Sequence, residues 1–189
     1  LINTPANVMG PNELNIYAKK LFSKYANKNI VIEGKKLKKN FPLIYSVGRG
    51  AENGRRPIFS EFIWKPKTKK TKRNITLIGK GVCFDTGGLN LKLGSGMNLM
   101  KKDMGGAANC IGLSRMLIKQ KIEINLRLLL PIVENSLSSK AFRPSDIIKS
   151  RSGIFVEIGD TDAEGRLILA DTLSYALEKK TDLIIDIET

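Results

Sequence analysis

Two segments of the sequence combine charged side chains with glycine-rich and apolar surroundings. The first runs from Gly79 to Ala108, and the second is the short stretch from Thr161 to Leu167. Together they hold Lys80, Asp85, Lys92, Asp103, Asp162, Glu164 and Arg166. An unpaired charge is costly to bury, so charges in such surroundings are expected to pair or to bind a metal ion. We therefore predict a metal site built from carboxylates and one lysine.

The carboxylates are the candidate metal ligands. Glycines after Asp85 permit a tight turn around a ligand, and Asp162 and Glu164 are separated by one residue, so they can reach a common centre. Asp103 directly precedes a stretch of small residues. Carboxylate oxygens without histidine suit Mg²⁺, Mn²⁺ or Zn²⁺, and such a site is expected to hold two adjacent divalent ions. A single aspartate would more simply be a helix cap or turn residue, but the set favours a metal site.

The basic residues of these segments have separate expected roles. Lys92 is flanked by leucines and could stabilise a developing oxyanion if it faces a polar cavity. Lys80 could bind a metal as a neutral amine, which requires a pKa lowered by an adjacent dication. Arg166 could hold an anion with its planar guanidinium. Each of the three could alternatively be an ordinary salt-bridge partner.

The composition excludes several kinds of catalytic site. The sequence has no histidine, which rules out Ser-His-Asp and Cys-His catalysis and HExxH zinc sites. Cys83 and Cys110 are too few for a disulfide framework, so a reducing cytoplasm is the expected location. No apolar run reaches membrane-spanning length, and the 189 residues suit one domain.

The net charge of +14 raises a second possibility, nucleic-acid binding. The densest basic run is Lys65–Arg73, which joins two strand-like segments and has no interleaved aromatic residues for base stacking. A solvated hairpin loop is the simpler interpretation of this run. Contact with nucleic acid stays open as the alternative.

Strand-like and helix-like segments alternate along the chain, which predicts an α/β sheet with helices on both sides. The predicted strands are Ile30–Ile32, Leu43–Val47, Pro57–Trp64, Ile75–Ile78, Ile124–Val133, Ile154–Ile158 and Asp182–Ile187, of which the last four are expected to be buried. The predicted helices are Pro11–Ala26, with Asn12 as N-cap, Met104–Gln120 and Glu164–Lys180, besides a lysine-rich turn or helix start at Lys35–Asn40. Ligands of such sheets bind at the carboxyl ends of strands, where Lys80, Asp85 and Asp162 are expected.

Long motifs in this sequence resemble those of the leucyl (cytosol) aminopeptidases. They are GKGVCFDTGGLNLK, MKKDMGGAA and TDAEGRL, with NTPAN, SVGRGAE and FRPSDI adding to the match. The resemblance covers nearly the whole chain. Two positions depart from the family pattern, Asp160 where the family more often has Asn and Thr86 where it has Ser. The resemblance implies a mixed, largely parallel sheet flanked by helices, in a zinc-exopeptidase-like catalytic domain that occupies residues 1–189.

The resemblance also implies a role for each site residue. One metal would be held by Lys80, Asp85, Asp103 and Glu164, and the other by Asp85, Asp162 and Glu164. Lys92 would stabilise the tetrahedral intermediate, Arg166 would anchor a bicarbonate ion that moves the proton, and Met100 would form a wall of the pocket for the first side chain. The implied cofactors are two divalent ions, Zn or Mn with Mg as a further candidate, and bicarbonate.

The implied function is metal-dependent release of N-terminal amino acids, of the leucine type, from peptides. The family further implies a cytoplasmic hexamer without membrane association. The sequence is expected to be a truncated catalytic domain without the family's N-terminal domain and C-terminal segment, and hence of weak or absent activity. The rival hypothesis is an inactive truncated homologue that binds nucleic acid or a protein partner through its basic surface.

Overall fold

The computed structural model describes residues 1–67 and 73–189. The centre of the predicted basic loop Lys65–Arg73, residues 68–72, lies outside the described residues.

Six helices and eight strands make up the described chain. The helices are α1 (Pro11–Phe22), α2 (Gly34–Asn40), α3 (Pro42–Gly48), α4 (Ser95–Asn98), α5 (Gly105–Lys119) and α6 (Glu164–Leu177), with 3-10 turns at Asn53–Arg55 and Met100–Met104. The strands are β1 (Lys28–Glu33), β2 (Ile58–Trp64), β3 (Arg73–Gly79), β4 (Gly81–Asp85), β5 (Ile124–Asn135), β6 (Ile147–Lys149), β7 (Phe155–Glu157) and β8 (Leu183–Ile187). In the described ranges, no helix has the length and apolarity needed to cross a bilayer.

The main sheet is mixed and largely parallel, as predicted. Its order is β1-β2-β5-β3-β8. Strand β4, which follows β3 in the chain, pairs with the next part of the same neighbour, β5. The β1–β2 and β2–β5 pairs are antiparallel, whereas β3 and β4 run parallel to β5, and β8 runs parallel to β3. Strands β6 and β7 form a separate antiparallel ribbon.

Helices cover both faces of the main sheet, which confirms the predicted layers. Because successive side chains of a strand point to opposite faces, Leu128 of β5 belongs to one core and Leu129 to the other. Helices α1 and α5 pack into the first core, through residues such as Phe22 and Ile111. Helices α2, α3 and α6 pack into the second. A strand buried on both faces reads as a continuous apolar run, which is why β5 was predictable.

Two expectations in the first third of the chain were wrong. The helix predicted over Pro11–Ala26 ends at Phe22, and Asn12 is not its N-cap. Glu13 accepts a hydrogen bond from the backbone N–H of Gly10 instead, and Asn12 donates to the carbonyl of Gly54. The strand predicted at Leu43–Val47 is helix α3, which has a proline at its first turn and several buried apolar residues. A short apolar run does not distinguish a buried strand from a buried helix.

Two predicted strands are less buried than expected. Residues Ile154–Ile158 do not join the main sheet but contribute to the β6–β7 ribbon, where Phe155 is 68% exposed. The strand predicted at Asp182–Ile187 exists as β8, but within the described residues it lies at the edge of the sheet. Leu183 on this strand is 48% exposed. Apolar composition alone could not predict these positions, because it does not show which neighbours a strand has.

A buried carboxylate, Glu61 of β2, attaches the C-terminal half of α6 to the sheet. Glu61 is fully buried and accepts hydrogen bonds from Arg127 Nε at 2.9 Å, from the Tyr175 hydroxyl at 2.7 Å and from Lys179 Nζ at 3.2 Å. Arg127 also donates to the carbonyl of Ala176. Since α6 begins at Glu164, this network helps to fix the element that carries a candidate metal ligand.

We predict that Glu61→Gln lowers the free energy of unfolding by about 3 kcal/mol, because it leaves the buried Arg127 guanidinium without its counter-charge. Urea denaturation at pH 7 measures this change. A variant as stable as the wild type would show that the network does not hold α6 to the sheet.

The effect of Glu61→Gln should also depend on pH. Burial alone would raise the pKa of Glu61, but hydrogen bonds from Tyr175 and Arg127 outweigh it and place the pKa below its ordinary value of 4.5. The unfolded chain therefore takes up this proton at a higher pH than the folded chain. The stabilisation is complete above pH 4.5 and is lost as the pH falls through the lowered value. The stability difference between wild type and variant should shrink in that acid range; a difference independent of pH would contradict this.

Candidate metal centre

The site is built around a break between two strands at Lys80. Strands β3 and β4 pair one after the other with β5, and the register does not shift between them, with Ile78 opposite Leu129 and Gly81 opposite Ile132. At the break, the backbone N–H of Lys80 donates to the carbonyl at the end of β8, and its carbonyl accepts from the first turn of α5. The contact is so close that a Cβ on Gly106 would lie 2.1 Å from the Ile187 carbonyl oxygen. Only glycine permits this approach.

The Lys80 side chain lies between two buried carboxylates. Its Nζ is 3.1 Å from Asp103 and 3.0 Å from Glu164, and it also donates to the carbonyl of Thr189 at 3.0 Å. Burial by itself would lower the pKa of Lys80, but the charges of Glu164 and Asp103 raise it above its usual value. Lys80 is therefore an ammonium in this arrangement. Its predicted role as a neutral metal ligand requires the field of an added dication and stays a prediction.

The surroundings of Glu164 and Asp103 disfavour the charged form of these two carboxyl groups. Burial, followed by the charge of Asp85, raises the pKa of Glu164 to about 7. Burial also raises the pKa of Asp103, although Lys80 opposes the change. Burial is thus the largest cause of the raised pKa of Glu164 and Asp103, whereas the charges of these two carboxylates raise the pKa of Lys80.

A second lysine lies between the other two carboxylates. Lys92 Nζ is 2.9 Å from Asp85 Oδ2 and 2.5 Å from Asp162 Oδ1. Burial would lower the pKa of Lys92, but its contacts with Asp162 and Asp85 raise it. The other oxygen of Asp85 accepts hydrogen bonds from the N–H of Gly87 and from Asn135 Nδ2, both at 2.9 Å. Asp85 therefore has one oxygen held by neutral donors and one facing the cluster.

Three carboxylates can share one cation. Asp85, Asp162 and Glu164 each offer an oxygen, and these oxygens lie within 4.8 Å of one another. Asp103 is outside this group and is linked to it through Lys80. When all four carboxylates are ionised, the two lysines leave two negative charges uncompensated.

Carboxylate oxygens without hydrogen bonds also indicate that the cluster lacks enough positive charge. Glu164 Oε2 is buried and has no hydrogen-bond partner among residues 1–67 and 73–189. Asp103 Oδ2 and Asp162 Oδ1 are likewise buried without hydrogen-bond geometry, although each is within ion-pair distance of a lysine. Buried polar groups are rarely left unpaired, and hard oxygen donors suit divalent ions. The residues present therefore fit the predicted metal.

The structure gathers six of the seven predicted charged residues and leaves Arg166 at the surface. Arg166 lies in the first turn of α6 and is exposed, and its guanidinium makes no hydrogen bond or ion pair with the described part of the chain. Met100 begins the 3-10 turn that also contains Asp103, and it is partly exposed. The roles of both residues stay predictions.

Two residues that the sequence analysis did not identify hold the cluster together. Asn135 ends β5 and donates from Nδ2 to Asp85 Oδ1 and to the carbonyl of Thr161 at 3.0 Å. Thr161 donates to the carbonyl of Gly87 at 2.6 Å and accepts from the N–H of Asn90. The position of Asn135 at the carboxyl end of a buried strand was the available signal, because ligands of α/β sheets bind there.

The cytosol aminopeptidase family, catalytic domain, matches the chain over residues 1–189. The chain belongs to the cytosol aminopeptidase family. The resemblance of the motifs around Lys80 and Asp162 is thereby confirmed, and this family is one of peptidases.

Relatives and solved structures of the cytosol aminopeptidase family agree with the assignment. A probable cytosol aminopeptidase of Aquifex aeolicus is 42% identical over the whole chain, which spans 38% of that protein. A crystal structure of the cytosol aminopeptidase from Coxiella burnetii matches with a TM-score of 0.94 and 47% identity, over all of this chain and 40% of that one. The bottromycin maturation enzyme BotP in complex with Mn matches with a TM-score of 0.91 and 32% identity, over all of this chain and 41% of that one.

We predict that Asn135→Leu weakens Mn²⁺ binding by roughly 10- to 100-fold, the usual effect of losing a residue that orients a metal ligand. Leucine has a similar shape but cannot donate to Asp85 and Thr161. Titration of the metal-free chain with Mn²⁺, followed by electron paramagnetic resonance of free Mn²⁺, measures the affinity.

Asn15→Leu is the matched control for this variant, because Asn15 is a buried asparagine of α1 that accepts a hydrogen bond from Ser60. The control should keep the wild-type affinity even if it unfolds more readily. Equal Mn²⁺ affinity in wild type and Asn135→Leu would show that Asn135 does not orient Asp85.

Proposed function

We propose that the chain is the catalytic part of a metal-dependent aminopeptidase that releases N-terminal amino acids, of the leucine type, from peptides. The observation that carries the proposal is the cluster of buried Asp85, half-buried Asp162 and buried Glu164, with its uncompensated negative charge and the unpaired Glu164 Oε2. Membership of a peptidase family supports the reaction class.

Two divalent ions are proposed as cofactors, Zn or Mn with Mg as a further candidate. One would be held by Lys80, Asp85, Asp103 and Glu164, and the other by Asp85, Asp162 and Glu164. Such ions supply an activated water and polarise the peptide carbonyl. The excess of carboxylates over lysines in the cluster supports the binding of more than one positive charge, and the Mn found with BotP supports the choice of metals.

The side chains of this chain would prepare the site in three ways. Asn135 and the N–H of Gly87 occupy Asp85 Oδ1, so the other oxygen is directed to the cluster. Lys92 presents an ammonium beside Asp162 and Asp85, where positive charge would stabilise an oxyanion formed from the peptide carbonyl. Because its side chain is mostly buried, little water screens this charge.

Arg166 and Met100 complete the proposed site. The guanidinium of Arg166 is exposed and free of ion pairs within the described residues, so it could hold bicarbonate, an anion able to take up and release the proton. Such an anion would replace the histidine that this sequence lacks. Met100, in the turn that carries Asp103, would contact the first side chain of the peptide.

The remaining proposals concern the setting of the reaction. Peptides are the proposed substrates, self-association to a hexamer is the proposed assembly, and the cytoplasm is the proposed location. The name of the family, cytosol aminopeptidase, supports the location. The rival hypothesis of an inactive binding protein is not favoured by the family match.

We predict that the purified chain with added Mn²⁺ hydrolyses a leucyl-anilide substrate, and that Asp162→Ala abolishes the reaction because it removes one of three convergent carboxylates. The control is Asp186→Ala, which removes an exposed carboxylate of β8 outside the cluster. Release of the anilide chromophore measures the rate.

Loss of activity in Asp162→Ala but not in Asp186→Ala would support the proposal. Absence of hydrolysis by the wild-type chain while it binds Mn²⁺ would show that the described residues assemble the metal site without a working substrate pocket. Absence of Mn²⁺ binding would contradict the proposed function itself.

A further inference from the structure

A second concave surface, which we call the basic groove, lies apart from the carboxylate cluster. It consists of two adjoining cavities of about 640 and 420 Å³. Residues of α2, α3 and the segments 49–57 and 139–149 line it, and the cavities share Lys38, Tyr45, Arg49 and Lys140. None of the four cluster carboxylates contributes to the lining of either cavity. The basic groove is therefore separate from the candidate metal centre.

The lining of the basic groove is unusually cationic. Twelve residues line one cavity and eleven the other, and four are common to both, so nineteen line the groove. Seven of the nineteen are Lys or Arg and none is Asp or Glu, whereas the whole chain has 32 basic and 18 acidic residues among 189. The basic residues are Lys35, Lys38, Arg49, Arg56, Lys140, Arg143 and Lys149. Like charges gathered in a concavity repel one another unless an anion joins them.

One carboxylate behind the lining holds two of these cations in place. Asp146 accepts hydrogen bonds from Arg49 Nη2 at 3.1 Å and from Arg143 Nε at 3.1 Å. Arg49 also donates to the carbonyl of Ala141. Its Nε is buried without a hydrogen-bond partner in the described part of the chain. One acid thus fixes the arginines but leaves most of the positive charge of the groove uncompensated.

We propose that the basic groove binds a small phosphate-bearing ligand of nucleotide size. Guanidinium groups match phosphate oxygens in a bidentate geometry, and lysines add positive charge. The cavity volumes fall within the range of small-molecule sites, about 300–1,000 Å³. Tyr45 borders both cavities, and the Lys38 ammonium lies over one face of its ring, 5.6 Å from the centroid, so an aromatic ring lies where the cations gather. A ring beside clustered cations suits a nucleobase attached to phosphates.

The test is calorimetric titration of the chain with ATP in EDTA, so that divalent ions contribute nothing. Adenosine and inorganic pyrophosphate are titrated in parallel. We expect ATP to bind, pyrophosphate to bind more weakly and adenosine not to bind. The double variant Lys140→Ala/Lys149→Ala should weaken ATP binding by roughly tenfold or more, since it removes two charges that would contact phosphate.

The control is Lys24→Ala/Lys119→Ala, which lowers the net charge equally at two exposed positions outside the basic groove. This control should bind ATP as the wild type does. Equal weakening in both double variants, or no ATP binding by the wild type, would overturn the proposal. Single-stranded DNA that displaces ATP with an affinity that rises with its length would also overturn it, because the groove would then serve a macromolecule.

Discussion

The ion pairs of Lys80 with Asp103 and Glu164 are the interaction on which the rest of the site depends. Lys80 occupies the break between β3 and β4, Asp103 belongs to the 3-10 turn before α5, and Glu164 begins α6. One buried ammonium therefore joins a strand of the central sheet to helices on opposite faces. The fold accommodates this contact closely, since a Cβ on Gly165 would lie 3.0 Å from Lys80 Nζ. Moving any one of these elements would leave a charge buried without its partner, which is costly.

The same charges that hold the elements together are incompletely neutralised. Lys80 and Lys92 each contact two carboxylates, and burial together with the charge of Asp85 raises the pKa of Glu164. A protein that gains stability only from ion pairs would not gather four carboxylates around two ammonium groups. The arrangement instead suits a ligand set whose remaining counter-charge would be a metal ion. The ion pairs that fix the fold and the proposed metal ligands therefore lie in the same place, at the carboxyl ends of the strands, where ligands of α/β sheets bind.

The sequence indicated which charged residues could lie together because their surroundings made them unusual. Lys80, Asp85 and Asp162 stand out against glycine and apolar neighbours, and strand ends indicate where they meet. Asn135 does not stand out against its neighbours, and only its place at the end of β5 pointed to it, because its hydrogen bonds reach residues 50 and 26 positions away. Helix α3 was missed because a short apolar segment suits either element, and only tertiary contacts decide. Asp171 of α6 makes such a contact, accepting a hydrogen bond from the N–H of Leu43 in the first turn of α3.

We propose that the carboxylate cluster binds two divalent ions, and a count of the ions bound per chain would decide this. The metal-free chain would be equilibrated with Mn²⁺, separated from free metal by gel filtration and analysed by mass spectrometry for Mn per chain. We expect two ions per wild-type chain and their loss in Glu164→Gln, because Glu164 would contribute to both positions. A wild-type chain without bound Mn²⁺, or a Glu164→Gln variant that retains both ions, would contradict it.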